Sequence, residues 1–332
     1  MKVKTIGIVL ETNADAVKSG NGNLDQLYHW REPDEIQAIT DAVQSAGFKT
    51  IIIGPPEKFC LEVQKYKNQV DFIFNLSVGF TTRFRLSRGP NLYELSGIPY
   101  SGADPYTKMV SQNKHLMKSF LDKMNIPTPE WCYIHSRGDM KVAKYPKFPV
   151  IVKPAYEGSS IGIHPKSVAA NKHSLYKNIN KIFNELKMPV IVEKFIEGKE
   201  VKIGIIGNDR IDFIGIIEDV INEGCSLKNK FLYYKAKTHG KYAKSKRNMK
   251  DEEISNAIKD SLKIYKYFLP VDYGTMDIRI DSNGNHYFLE FNADATLHPG
   301  RTLSMCCKLN GISFEEMINK IIRTSFKRWN LH

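Results

Sequence analysis

The sequence predicts an α/β fold that turns to α+β in its C-terminal part, and three observations carry that prediction. Residues 4–54 alternate an apolar run, a segment of helical period and a second apolar run; strands dominate from residue 148 onward; and residues 273–292 form two strand-like runs about an Asn283-Gly284 turn. With 42% apolar and 11% aromatic residues among 332, the chain has a globular composition and room for two or three domains.

"KTIGIVL" (4–10) is a short apolar run ending in polar residues. "PDEIQAITDAVQSAG" (33–47) spaces its apolar residues as a helix and stops at Gly47, and "FKTIIIG" (48–54) is a second buried strand, which makes a βαβ unit. "VDFIFNLSVG" (70–79) supplies a third strand ending on Asn75, and "GPNLYELSG" (89–97) a short helix closed by Gly97. No G-x-G-x-x-G follows the first strand, so a dinucleotide site there is unsupported. "PYTKMVSQNKHLMKSFLDKMNI" (105–126) predicts one amphipathic helix, which "PTPEWCYI" leaves through two prolines. "PVIVEKFIEGKEVKIGIIGN" (189–208) predicts two strands around a turn at Glu197-Gly198, and "RIDFIGIIEDV" (210–220) an antiparallel continuation. Residues 226–250 crowd lysines and Arg247 into a stretch with little apolar period, the mark of a mobile basic loop. Helices over 251–268 and 313–329 flank the hairpin.

The formal charge of +12 comes from 48 basic residues spread among 36 acidic ones, which is a solvated surface rather than a nucleic-acid footprint, and none of the recognition motifs for nucleic acid occurs. Five cysteines (Cys60, Cys132, Cys225, Cys306, Cys307) form neither a disulfide framework nor a metal-ligand spacing. The N-terminal apolar run is shorter than a signal segment and no run reaches the length of a membrane span. The expectation is a cytoplasmic protein with no membrane or nucleic-acid partner.

Chemistry enters with the hairpin. Asp277 and Arg279 share one face of a strand, and Glu290 and Asn292 share a face of its partner. Asp, Glu and Asn are hard oxygen ligands suited to magnesium, although cross-strand polar pairs on a surface hairpin look the same in sequence. Lys153 and Lys194 lie in or at the end of apolar strands, a costly place for an ammonium without an anion. In "PVIVKPAYEGSSIGI" the first of them precedes a Gly-Ser loop whose backbone N–H groups are free to wrap phosphate. Together these features suit a nucleoside triphosphate with magnesium, and with no G-x-x-x-x-G-K-[ST] the P-loop fold is disfavoured.

"PVIVKPAYEGSSIGI", "VIVEKFIEGKEV", "YKAK" and "MDIRIDSNGNHYFLEFNADATLHPG" resemble the successive motifs of the ATP-grasp superfamily, specifically of the D-alanine:D-alanine ligase family. "NLSVGF", "RFRLSRG" and "LYELSGIPYSGADPYTKMVSQNKHLMKSFL" are similar to that family's N-terminal domain and entry helix, so the resemblance runs from about residue 4 to 322. It implies an ATP-grasp fold: a Rossmann-like N-terminal domain (1–105), a central subdomain (106–190) and a C-terminal catalytic subdomain (191–332), the last two sandwiching ATP. It also implies small carboxylate and amine substrates, two Mg²⁺ ions with Mn²⁺ as a substitute, and a homodimer.

By position, the resemblance gives Lys114 and Lys153 to the ATP phosphates, and Glu157, Gly158, Ser159 and Ser160 to the loop that closes over them. Glu193, Lys194, Phe195 and Ile196 fall at the adenine hinge, Glu200 at the ribose, Lys237 at a further phosphate, and Asp277, Glu290 and Asn292 at magnesium. The departures concern substrate. Thr275 stands where the ligases carry an oxyanion-supporting arginine, with Arg279 as the nearest substitute; Thr238 replaces a loop tyrosine; and "NADATLHPGRTLS" lengthens the usual segment, adding Asp294, His298 and Arg301. Glu11, Arg83, Arg85, Thr238, His298, Arg301 and Ser304 are the candidate substrate residues, with Ser159, Lys237 and Arg279 the catalytic ones. Three readings follow: a diverged carboxylate–amine ligase joining amino acids or a specialised acid; a D-alanine:D-alanine ligase of cell-wall synthesis; and a catalytically silent ATP-binding or basic partner-binding module.

Overall fold

A computed structural model describes residues 2–18, 33–80, 82–158, 160–221, 242–247, 251–293 and 295–332. Among these, the strands form three sheets of three, four and five strands.

The first sheet is parallel, in the order β2-β1-β3, from β1 (Thr5–Val9), β2 (Lys49–Gly54) and β3 (Phe72–Asn75). Helices α1 (Asn13–Lys18), α2 (Pro33–Ser45), α3 (Pro56–Leu61), α4 (Val63–Lys67) and α5 (Arg88–Ser96) accompany it. One face packs Ile6, Ile8 and Phe72 against α2, and the other packs Val9, Ile53 and Ile73 against Phe59, Tyr66 and Tyr93. Alternate residues of the strands serve opposite faces, so all four residues of β3 are buried.

The single helix expected over 105–126 is two, α6 (Pro105–Gln112) and α7 (Lys114–Lys123). Asn113 breaks them with an extended backbone (φ −92°, ψ 98°), and its amide donates to the carbonyls of Arg83 (2.9 Å) and Met109 (2.6 Å). The break turns the Lys114 N–H onto the Ala155 carbonyl at 3.0 Å, outside any helical ladder. A side-chain bond to the backbone thus competes with the helix, an outcome that apolar period does not report.

The four-stranded sheet runs β4-β7-β5-β6, from β4 (Trp131–Ile134), β5 (Val150–Pro154), β6 (Val168–Ala169) and β7 (Val190–Lys194), with α8 (Lys172–Glu185) on one face. The five-stranded sheet runs β10-β9-β8-β11-β12, all antiparallel: β8 (Lys199–Gly207), β9 (Ile211–Ile221), β10 (Tyr242–Lys246), β11 (Tyr273–Ile280) and β12 (His286–Asn292). Residues 242–246, expected within a loop, are therefore strand; the rest of 226–250 apart from Arg247 lies outside the described residues. Helix α9 (Glu252–Tyr267) packs on this sheet with α6 and α7. Helix α10 (Thr302–Lys308) follows the hairpin, and α11 (Phe314–Arg328), opened by a Ser313/Glu316 capping box, returns to the N-terminal sheet through Met317, Ile318, Ile321 and Ile322.

Two expected units change shape accordingly. Because α6 and α7 bury Val110, Met117 and Leu121 on the five-stranded sheet while β7 pairs with β4 and β5, we draw the division between the central and C-terminal units at the 195–198 turn, not at 190/191. There the chain leaves one sheet and enters the other. Gly198 takes φ 145°, and a Cβ on it would stand 1.9 Å from the Ile280 carbonyl oxygen, so only glycine makes this crossing. Asp272, fully buried, joins the units: it accepts from the Gly102 N–H (2.8 Å), Asn208 Nδ2 (2.8 Å) and Ser325 Oγ (2.6 Å), and pairs with Arg328.

Candidate active site

The two antiparallel sheets and the rim of the N-terminal sheet enclose a cleft of about 400 Å³. Its first wall comes from β5 and β7. Lys153 is nearly buried, and its Nζ donates to Glu193 Oε2 at 2.7 Å; Lys118, on α7, brings a second ammonium 3.4 Å from Glu193 Oε1 and donates to Thr128 Oγ1 at 2.6 Å. Burial pushes the Glu193 carboxyl up, and the two lysines more than reverse it, leaving the group below its ordinary value. Two cations against one carboxylate leave this wall positive.

The second wall is the inner face of the five-stranded sheet, and strand register builds it. Arg279 lies opposite Glu200, which lies opposite Asp219; two residues along, Lys202 lies opposite Asp277, which lies opposite Glu290; next, Thr275 lies opposite Asn292. Side chains at i and i+2 share a face, so these rows form one polar ladder. Lys202 Nζ stands 2.6 Å from Asp277 Oδ2, 3.2 Å from Glu200 Oε1 and 3.5 Å from Asp219 Oδ2. Burial pulls the Lys202 ammonium down, and Asp277, Glu200 and Asp219 outweigh it, holding the group well above its ordinary value. Lys114 Nζ reaches Glu290 Oε1 at 3.1 Å and also donates to the Glu157 carbonyl.

The third wall belongs to the N-terminal unit. Arg85, buried, donates through Nη1 to the Val78 carbonyl (2.6 Å) and through Nη2 to Glu157 Oε2 (3.3 Å), tying that unit to the base of the Gly-Ser loop. Behind it the Glu11 carboxylate accepts from the Val78 and Gly79 amides at 2.8 and 3.0 Å; burial lifts it to about 7, against those amides. Ser160 holds a left-handed backbone (φ 64°) at the mouth.

Of the sequence candidates, Lys114, Lys153, Glu157, Ser160, Glu193, Phe195, Ile196, Glu200, Asp277, Glu290, Asn292, Arg85, Thr275, Arg279 and Arg301 all line this cleft. Burial pushes the Arg301 guanidinium, at the start of α10, down to about 10. Ser159, Lys237, Thr238 and Asp294 lie outside the described residues. Lys194 lines the cleft too, and its ammonium donates to the Phe148 carbonyl (3.0 Å). Arg279 is not where Thr275 leaves a gap. It sits on the far side of Asp277, donating to the Gly198 carbonyl (3.2 Å), 3.7 Å from Glu200 Oε2 and over the Phe195 ring at 5.6 Å. Glu11, Arg83, His298 and Ser304 do not line the cleft: Glu11 is buried on the Val78 and Gly79 amides, Arg83 is exposed, His298 Nε2 is 4.0 Å from Glu35 Oε1, and the Ser304 hydroxyl is buried in α10.

Sequence reasoning missed Lys118, Lys202 and Asp219. Lys202 had a signal, since "KEVKIGIIG" places a lysine inside an apolar strand as "PVIVKP" does for Lys153. Asp219 and Lys118 carried none, because their roles depend on pairing between distant segments.

As for a metal, no three His, Cys, Asp or Glu side chains among the described residues are grouped to hold one alone. Asp277, Glu290 and Asn292 nevertheless stand on adjacent rungs of one face, and two carboxylates with an amide fit magnesium, which takes few protein ligands and completes its shell with water and phosphate.

The family model described as "D-ala D-ala ligase C-terminus" matches residues 120–323. The D-alanine–D-alanine ligase of Aquifex aeolicus is 30% identical over 234 residues, which are 70% of this chain and 75% of that one. Among solved structures, the D-alanine–D-alanine ligase of Bacillus anthracis superposes with a TM-score of 0.71 at 20% identity, covering 98% of this chain and 99% of its own; its complex with ATP gives 0.70 at 17%. The VanG D-Ala:D-Ser ligase of Enterococcus faecalis gives 0.69 at 18% identity over 97% of this chain and 99% of its own.

Proposed function

The chain belongs to the D-alanine–D-alanine ligase family, and on that premise we propose that it joins a carboxylate to an amine through an acyl phosphate, with substrates that depart from the D-alanine pair. It is an ATP-dependent, C–N bond-forming ligase of ATP-grasp fold.

A free carboxylate has no leaving group, so its oxygen first takes the γ-phosphoryl group of ATP and ADP is released. The amine then attacks the acyl carbon, a tetrahedral oxyanion forms, and it collapses with loss of phosphate and of a proton from nitrogen. In this reading Lys153 and Lys114 meet the phosphates, the 157–160 loop covers them, Glu193 to Ile196 hold adenine and Glu200 the ribose. Asp277, Glu290 and Asn292 would hold magnesium, with Mn²⁺ as a substitute, and the ion would supply neutralising charge at the transferred group.

The observation that carries the altered substrate is Thr275. It is buried opposite Asn292, in the rung next to Asp277 and Glu290, and offers a hydroxyl where the family's arginine would offer a fixed charge. Arg279 points toward the hinge instead, so we assign it to positioning Glu200 and Phe195, and assign the charge at the acyl-transfer end to Arg301. Arg85 and the 157–160 loop supply the wall nearest the acid, with Glu11 buried behind them. We place the reaction in the cytoplasm and propose a homodimer, which sedimentation at twice the chain mass would bear out.

Purified protein, ATP and D-alanine alone should yield little dipeptide, whereas ADP release screened over pairs of D- and L-amino acids and dipeptides should rise sharply for a particular pair. Rapid formation of D-alanyl-D-alanine overturns the substrate reading in favour of an ordinary D-alanine–D-alanine ligase.

A further inference from the structure

A cation already stands among the carboxylates of the second wall, and it is part of the chain. Lys202 is buried, and Asp277, Glu200 and Asp219 hold its Nζ from three sides at 2.6, 3.2 and 3.5 Å. An ammonium carries three N–H donors; here it donates to Asp277 and Glu200, and Asp219 Oδ2 stands at ion-pair distance beyond them. A lysine that merely snorkels would send its charge to water. This one lies on the central strand of the ladder, with β9 on one side and β11 on the other, and its stem has nowhere else to go.

We propose that Lys202 takes the place of one of the two divalent cations, so that the cleft binds a single metal ion with its nucleotide and the ammonium supplies the remaining charge. The inference rests on the nucleotide–metal reading above. Its argument is electrostatic. A magnesium–oxygen bond is about 2.1 Å, so an ion on Asp277 Oδ2 shares that oxygen with an ammonium 2.6 Å away. Two cations on one half-buried oxygen repel, and more strongly than they would in open water. Glu290 and Asn292 lie one strand further from Lys202, on β12, and keep hard oxygens for one ion. Lys114, which pairs with Glu290 at 3.1 Å and donates to the Glu157 carbonyl, comes from α7, outside the sheet, whereas Lys202 is rooted on the central strand of the ladder among three carboxylates. Lys202 is thus a positioning residue: it sets the charge and the metal count of the site through Asp277.

The test is a Mn²⁺ titration of the full chain in the presence of a non-hydrolysable ATP analogue, counting bound Mn²⁺ by the loss of the free-ion electron paramagnetic resonance signal. The wild type should bind one Mn²⁺ per chain, Lys202→Arg one, and Lys202→Met and Lys202→Thr two. Two Mn²⁺ in the wild type overturn the inference and leave the nucleotide–metal reading standing; none with the analogue present overturns both. The wild-type count decides the matter even where a neutral variant fails to fold. One Mn²⁺ in a folded Lys202→Met also overturns it, because the second position would then be closed for another reason.

Discussion

The two walls that face each other across the cleft carry opposite charge balances. Around Glu193 of the four-stranded sheet, two ammonium groups, Lys153 and, from α7, Lys118, share one carboxylate; on the five-stranded side, Glu200, Asp219, Asp277 and Glu290 outnumber Lys202, Arg279 and the Lys114 that reaches Glu290 from α7. Each wall is nearly compensated within itself, which is what lets so many charges stay buried. The residual signs differ, and the difference suits a polyanion held against one wall with a cation held against the other. A triphosphate and magnesium laid between them complete both.

The strongest way to break that comparison is to remove the positive wall. Lys153→Met should lower kcat/KM for amine-dependent ADP release by about 10³-fold, because a fixed cation at the phosphates acts mainly in the transition state. A loss below about tenfold would mean that Lys153 serves Glu193 and not the nucleotide.

The N-terminal wall sharpens the comparison, since its carboxylate has amide partners and no lysine. Burial lifts Glu11 from 4.5 to about 7, so the folded chain keeps a proton that the unfolded chain has already lost. Stability therefore falls as pH rises through that window and is level above it. Glu11→Gln has no such proton and should be more stable than the wild type by roughly 3 kcal/mol at about pH 8, with the gain gone near pH 4. Urea unfolding at the two pH values reads it; a gain independent of pH would show that packing, not ionisation, is responsible.

The smallest effect concerns the acyl-transfer end. Arg301→Met should raise KM for the acid about tenfold and leave KM for ATP within about twofold, an effect of about 1.4 kcal/mol. Equal changes in both constants, measured by varying each substrate in turn, would return Arg301 to the nucleotide half.

Much of this was legible in the chain, and for identifiable reasons. Strand and helix periods placed β1, β2, α2, β11 and β12 within a residue or two, since a one-sided burial pattern repeats locally. Lys153 was legible because an ammonium in an apolar strand is costly, and Asp277, Glu290 and Asn292 because alternation along two strands puts them on one face. The break at Asn113 was not, because it depends on the Arg83 carbonyl 30 residues away. Arg279 was read as a stand-in at Thr275 because both share a strand face with Asp277; they lie on opposite sides of it, and the tertiary structure ties Arg279 to the Gly198 carbonyl and Glu200.

By itself, then, the sequence determined most of the elements and the faces they present, since these follow from spacing along a single segment. Strand partnership was decided by the tertiary structure. Glu197-Gly198 reads as a hairpin turn, yet it carries the chain from one sheet into another, and that crossing opens the cleft. Likewise "EVK" on β8 shows a lysine near a glutamate, but the ammonium acquires its other two carboxylates, Asp219 and Asp277, only when β9 and β11 pair on either side of it. Register between distant strands is set by burial of the whole sheet, a non-local quantity that no window of residues contains.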